Sequence, residues 1–208
     1  MNEYFDQLNK TSHHRTTLEM KRYAQENKVP IIQDEGLLYL KQIVRLSQSI
    51  NILEIGTAIG YSAIELARIN PKIHVDTIEK EESMVKLALE NVAKSRLNAR
   101  VRVFHADALT IDLSLLLPSY DLVFIDAAKA QYIKFFEKFD QLVKPKGLIV
   151  SDNLLFHGLV TTTEKIESKN LRMLIGKIKK YNEWLTKNKG YNTTFLPIGD
   201  GMAVSEKC

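Results

Sequence analysis

Two acid-bearing segments, Asp126-Ala127-Ala128-Lys129 and Asp152-Asn153, place oxygen ligands in a pattern that suits a hard divalent cation. Each follows a short apolar run, residues 120–125 in the first case and 147–151 in the second. Two carboxylates and an amide oxygen are donors of the kind Mg²⁺ takes, with waters and substrate oxygens completing its octahedron. A plainer reading gives Asp126 to a bound cofactor and lets Asp152-Asn153 cap a turn. That reading leaves the paired Asp-Asn and the neighbouring Lys129 unexplained.

A second set points to a nucleoside-like cofactor. Glu54-Ile55-Gly56-Thr57-Ala58-Ile59-Gly60-Tyr61-Ser62 follows another apolar run. Glycines at such a turn let the backbone approach a ligand closely where the next helix opens. A dinucleotide site would call for G-x-G-x-x-G, with pyrophosphate on the helix N-terminus. The spacing here is G-x-x-x-G with an acid two residues upstream. S-adenosylmethionine suits it better: it carries a sulfonium and an ammonium but no phosphate, and Glu54 is placed to meet the ammonium. The motif by itself is also compatible with a strand–helix turn that binds nothing. Glu79, ending the next strand, has the spacing of an acid that holds a ribose diol, and Asp107 falls where the adenine edge would lie.

These residues converge only if the elements around them alternate. NILEI, HVDTI, RVRVF, YDLVFI and GLIVS are short apolar or β-branched runs. Between them lie YSAIELARI, ESMVKLALENVAKSR, a leucine-rich stretch near 112–117 and AQYIKFFEKFDQLV, all of helical character. That alternation predicts a parallel sheet with helices on both faces. A long amphipathic helix over about 163–189 follows. YNTTFLPI and GMAVSE, joined by Gly199-Asp200-Gly201, then add an antiparallel pair to make a seven-stranded sheet. Upstream, residues 2–28 predict two helices ended by Pro30, and 35–47 a third with Asp34 as N-cap. The reading is one domain over 1–208, of which 1–50 is a helical N-terminal extension. Open α/β sheets bind ligands at the carboxyl ends of their strands, so all five acids point into one crevice.

Composition excludes several classes. With 208 residues, 45% hydrophobic and 26% charged, the chain reads as one soluble globular domain. No apolar run has the length of a membrane helix, the start MNEYFDQLNK lacks signal-peptide character, and Cys208 is the single cysteine. A cytoplasmic protein without internal disulfides is expected. Net charge is +4, and residues 161–190 concentrate the excess with eight Lys/Arg against three Asp/Glu. Such a helix is either a solvated face or a footprint for a polyanion such as RNA.

EIGTAIGYS, FIDAAKAQY and SDNLLFHGLV resemble the cation-dependent O-methyltransferases, a family that includes catechol and caffeoyl-CoA O-methyltransferases. The resemblance implies a Rossmann-like class I methyltransferase fold, S-adenosylmethionine as methyl donor, and Mg²⁺ (or Mn²⁺) held by Asp126, Asp152 and Asn153. It implies Lys129 as catalytic base, and places Ile32, Tyr61 and Ser62 in the cofactor pocket, where Asp126 also serves. VPII, KIKKYNEWL and LPIGDGMAVS extend the likeness over nearly the whole chain to the branch of the family that methylates 5-hydroxyuridine at the tRNA wobble position. That branch implies the tRNA anticodon region as partner and a homodimer. Two departures stand out. The catechol enzyme carries an acid just after its Asp-Gly, whereas Asp200-Gly201 is followed by Met202-Ala203. The start of the long helix, SKNLRMLIGK, holds fewer arginines than the tRNA branch.

Alternatives remain at this level. A small catechol-like or caffeoyl-CoA-like acceptor uses the same machinery, and a non-catalytic S-adenosylmethionine- or RNA-binding protein has no need of Lys129, Asp152 and Asn153. A nicotinamide dehydrogenase is disfavoured by the absent G-x-G-x-x-G. Phe156 and His157 follow the acids directly and are expected to wall the acceptor site. Tyr181 and Trp184 read as core residues, and His13, His14 and Arg15 as basic surface groups near the substrate mouth.

Overall fold

The computed structural model describes residues 4, 8, 9 and 14–208. Seven strands form one sheet: β1 (Asn51–Ile55), β2 (His74–Glu79), β3 (Val101–His105), β4 (Tyr120–Ile125), β5 (Val143–Ser151), β6 (Tyr191–Leu196) and β7 (Met202–Lys207), in the order β3-β2-β1-β4-β5-β7-β6. β1 to β5 run parallel, while β7 is antiparallel to both β5 and β6. The central strands β1 and β4 carry apolar side chains on both faces because successive side chains enter opposite cores. Ile52, Leu122 and Phe124 face one cluster, and Leu53, Ile55, Val123 and Ile125 the other. The first core is covered by α1 (Arg15–Asn27), α2 (Asp34–Leu46), α3 (Tyr61–Ala67) and α4 (Glu82–Lys94), the second by α5 (Tyr132–Phe139) and α6 (Lys169–Lys187).

The Rossmann-like α/β fold expected from the sequence is the one observed, with local differences. Asp34 does not cap α2: Gln33 occupies the N-cap without a side-chain bond, and the Asp34 carboxylate instead takes Lys21 Nζ at 2.5 Å and the Tyr61 hydroxyl at 3.3 Å. The long helix starts at Lys169 rather than near 163, where the Ser168 hydroxyl caps it by accepting Leu171 N–H. The stretch 112–117 forms only a 3₁₀ turn, Leu113–Leu115. β6 stops at Leu196 because Pro197 cannot donate to the ladder. The earlier of the two helices expected over 2–28 falls mainly outside the described residues.

A buried ionic knot ties the N-terminal extension to the sheet. Glu65 on α3 accepts Thr17 Oγ1 at 2.5 Å, Lys41 Nζ at 2.8 Å and Arg68 at 2.9 Å. Burial raises its carboxyl pKa, but these three donors outweigh burial and hold it at about 2. A depressed carboxyl contributes stability above its unfolded value of 4.5, and that contribution is lost as pH falls from there toward about 2. Glu65→Gln is expected to lower Tm at neutral pH, by an amount of order 3 kcal/mol in unfolding free energy. The deficit should shrink as pH drops below 4, measured by thermal melts across pH. An unchanged deficit at pH 3 would contradict the assignment.

Candidate active site

The strand order reverses between β1 and β4, and a crevice opens outside their carboxyl ends, as expected at such a switch point. There the chain turns back on itself. Asp126 N–H reaches Ile55 O at 3.0 Å and Gly56 N–H reaches Ile78 O at 3.0 Å, so the strand ladder continues into both turns. Gly56 has φ +103°, and a Cβ there would run into the Asp126 carbonyl oxygen. Only glycine combines that conformation with so close an approach. Gly56→Ala is expected to lower Tm and to weaken cofactor binding at least tenfold by isothermal titration; near-normal affinity would show that the turn can relax without cost.

The crevice is a cavity of about 740 Å³, within the range of sites for small ligands. Ile32, Gly56, Tyr61, Ser62, Glu79, Asp107, Asp126, Lys129 and Asn153 all line it. Glu79 is fixed by three backbone donors: Ala58 N–H at 2.9 Å on one oxygen, Lys80 and Glu81 N–H at 2.9 and 3.0 Å on the other. Lone pairs remain on it for a diol. Asp107 is exposed at the rim, its Oδ1 accepting Leu109 N–H at 2.7 Å. Glu54 differs from its expected placement. It is fully buried, does not reach the cavity wall, and accepts Thr77 Oγ1 at 2.5 Å on one oxygen while the other has no partner. Burial drives its pKa up to about 7, with Asp126 and Glu79 adding to the rise against the hydrogen bond from Thr77. An unpaired buried carboxylate beneath a cavity lined by further acids fits a cationic cofactor and not a phosphate-bearing one.

The other end of the cavity carries the candidate cation ligands. Lys129 opens a 3₁₀ turn, Lys129–Gln131, and its Nζ lies 3.1 Å from Asp126 Oδ1. Asp152 is buried behind the wall, its Oδ1 accepting Asn153 N–H at 2.7 Å, and Tyr132 donates to its backbone carbonyl at 3.1 Å. Burial first and the Asp126 charge second push the Asp152 carboxyl up to about 7. Among the described residues no three His, Cys, Asp or Glu side chains form a cation cluster; the set is two carboxylates and an amide. Two carboxylates that repel one another, joined by an amide oxygen, match a hard divalent cation.

The loop after β5 is held in unusual geometry. Asn153, Phe156 and His157 adopt φ of 60°, 46° and 55°, a region L-residues rarely enter and one that clusters at functional sites. Phe156 and His157 line the cavity, while Tyr181 is buried and Trp184 packs edge-on against Phe136, in the core as expected. His14 and Arg15 are exposed and do not line the cavity, and His13 lies outside the described residues. Asp200 at the β6–β7 turn and Val29, Pro30, Ile31 and Gln33 beside Ile32 line it without having been singled out. The segment 29–33 lacks any chemical signature, whereas an acid between two glycines at Asp200 was a visible signal.

A sequence model described as O-methyltransferase matches residues 2–208 of this chain. The chain belongs to the O-methyltransferase family. Its members include a catechol O-methyltransferase of Niastella koreensis, 30% identical over 176 residues, 80% of this chain and 77% of that one. A crystal structure from Staphylococcus aureus, provisionally called a caffeoyl-CoA O-methyltransferase, is 41% identical with a TM-score of 0.90, covering 99% of this chain and 96% of its own. The O-methyltransferase TomG of Streptomyces achromogenes, solved in complex with SAM, is 26% identical with a TM-score of 0.82, covering 99% and 95%. No helix among the described residues of this O-methyltransferase is long and apolar enough to cross a membrane.

Proposed function

We propose that this O-methyltransferase transfers the methyl group of S-adenosylmethionine to O5 of 5-hydroxyuridine at the tRNA wobble position, giving 5-methoxyuridine, with Mg²⁺ (or Mn²⁺) at Asp126, Asp152 and Asn153 and tRNA as its partner. The observation that carries the acceptor is the attachment of the basic helix to the ligand loop. Lys177, Lys179, Lys180 and Lys187 are exposed on α6. From the same helix, the Tyr181 hydroxyl lies 2.6 Å from Ser151 Oγ, and Asn182 donates to Leu154 O at 3.3 Å. A polyanion on the outer face of α6 therefore docks one layer from Asp152-Asn153. The Phe156 ring at the cavity wall offers a flipped base a stacking surface.

The residues divide the work. Glu79 and Asp107 orient the nucleoside end of the cofactor, and Glu54 favours its cationic amino acid end. A divalent cation held by Asp126, Asp152 and Asn153 would lower the pKa of the acceptor hydroxyl. Lys129 accepts the hydroxyl proton on Nζ, and Asp126 holds that amine in place. Residues 29–33 form part of the cavity wall, within which acceptor oxygen and methyl carbon must meet in line. Oxygen gains the methyl as the C–S bond breaks, and the leaving thioether is neutral.

The names of the catechol and caffeoyl-CoA relatives support a second reading, a small vicinal-dioxygen acceptor on the same site. Purified protein with radiolabelled cofactor, offered hypomodified tRNA or a caffeate-type compound, separates the two. Nucleoside mass spectrometry of tRNA from a deletion strain should show 5-hydroxyuridine accumulating and 5-methoxyuridine lost. Label going only to the small acceptor, with tRNA nucleosides unchanged, would replace the first reading by the second.

A further inference from the structure

The β6–β7 turn holds a buried carboxylate that the mechanism above leaves idle. Asp200 is 6% exposed and lines the cavity beside Asn153, Phe156 and His157. Its Oδ1 accepts the His157 backbone N–H at 2.5 Å, and its carbonyl accepts Leu155 N–H at 2.8 Å. Gly201, at φ +84°, locks this contact, since a Cβ there would fall 2.6 Å from Leu155 Cγ. The turn and the loop after β5 are therefore packed and hydrogen-bonded to each other. Asp200 Oδ2 is buried with no hydrogen bond, and His157 Nδ1 stands off at 3.7 Å on a side chain 72% exposed. A buried carboxylate oxygen without a donor is costly, so the position favours a ligand that brings one.

We infer that Asp200 Oδ2 is a specificity determinant that accepts a ring N–H adjacent to the two vicinal oxygens, the N3–H of the 5-hydroxyuracil ring. This rests on the 5-hydroxyuridine reading. A uracil that turns O5 and O4 toward Asp126, Asp152 and Asn153 carries N3–H on the atom next to C4, along the same edge. Asp200 lines the same cavity as Asp126 and Asn153, and its turn is tied to the segment that follows Asp152 by Leu154 N–H on Gly201 O at 2.9 Å and Leu155 N–H on Asp200 O at 2.8 Å. A catechol in the same pose presents a C–H and leaves Oδ2 unpaired. A site built around a hydrogen bond rejects the ligand that lacks the donor more strongly than an apolar pocket rejects a wrong shape.

The test uses anticodon stem-loop RNA carrying 5-hydroxyuridine or its N3-methyl derivative, with wild type and Asp200→Asn. The Asn variant keeps an oxygen for His157 N–H and replaces Oδ2 with an amide donor. For wild type, N3-methylation should lower kcat/KM roughly 10–100-fold, and Asp200→Asn should lower it similarly on the parent RNA. The two losses should not add, because they remove one interaction. Affinity for S-adenosylmethionine, measured by calorimetry, should stay within about twofold. Wild type that uses both RNAs equally overturns the inference alone, and so do losses that add fully. Wild type inactive on the parent RNA overturns the 5-hydroxyuridine reading and this inference with it. Should Asp200→Asn fail to fold, the comparison of the two RNAs on wild type decides.

Discussion

Replacing Lys129 by alanine is expected to cut kcat by roughly 10²–10⁴-fold, while the Kd for S-adenosylmethionine changes by no more than about threefold. The amine opens the turn after β4 and stands 3.1 Å from Asp126 Oδ1, at the end of the cavity that holds Asn153. It is 21% exposed, wet enough to exchange a proton and close enough to a carboxylate to be held in one orientation. Removing it leaves the acceptor hydroxyl without a partner for its proton, which is a loss in the transition state and not in cofactor binding. Lys129→Arg separates the two roles of the side chain. A guanidinium preserves the pair with Asp126 but cannot act as a base, since it does not deprotonate in proteins. Arginine should therefore be nearly as poor as alanine. If arginine restores most of the rate, Lys129 serves as fixed positive charge and the base lies elsewhere.

The legible parts of this molecule are those where residue type and position are tied by local physics. β1 and β4 read as buried strands because Ile52, Leu53, Val123 and Phe124 must satisfy a core on each face. Lining residues Gly56, Glu79 and Asp126 followed from that, because the carboxyl end of a parallel strand is where ligands sit. What was hidden depends on contacts between distant segments. Glu54 was placed at the ligand by its position next to the turn, yet its side chain points to Thr77 on β2 and stays below the wall. Asp34 looked like a cap, but Lys21 and Tyr61, from other elements, claim its carboxylate. The left-handed backbone at Asn153, Phe156 and His157 has no marker in a stretch without glycine until Gly158, since the β6–β7 turn imposes it. Asp200 was visible as a turn residue; that it reaches across 43 positions to His157 was not.

Removing the divalent cation is expected to have the largest effect of all, with methyl transfer falling to background in EDTA and returning with Mg²⁺ or Mn²⁺. The reason is visible in the protein without the ion. Asp126 and Asp152 follow the ends of adjacent strands, and burial plus that neighbouring charge raise Asp152 from 3.8 to about 7. A carboxyl with a raised folded pKa withdraws stability as pH climbs from 3.8 to about 7, and the withdrawal is complete above that. The carboxylate pair is thus strained at working pH, and a cation that relieved it would stabilise the folded state by mass action. Asp152→Asn should relieve the same strain by other means. Its amide oxygen can still accept Asn153 N–H, so without metal at pH 8 the variant should melt higher than wild type, by an amount on the order of 2 kcal/mol. It should also lose most of the wild type's Tm rise on adding Mn²⁺, along with its activity. Stability gained together with function lost marks a residue kept for chemistry. Full turnover in EDTA, or an Asp152→Asn variant that melts lower and still responds to Mn²⁺, would remove the cation from this site and leave Lys129 and the aligned reactants to supply the rate.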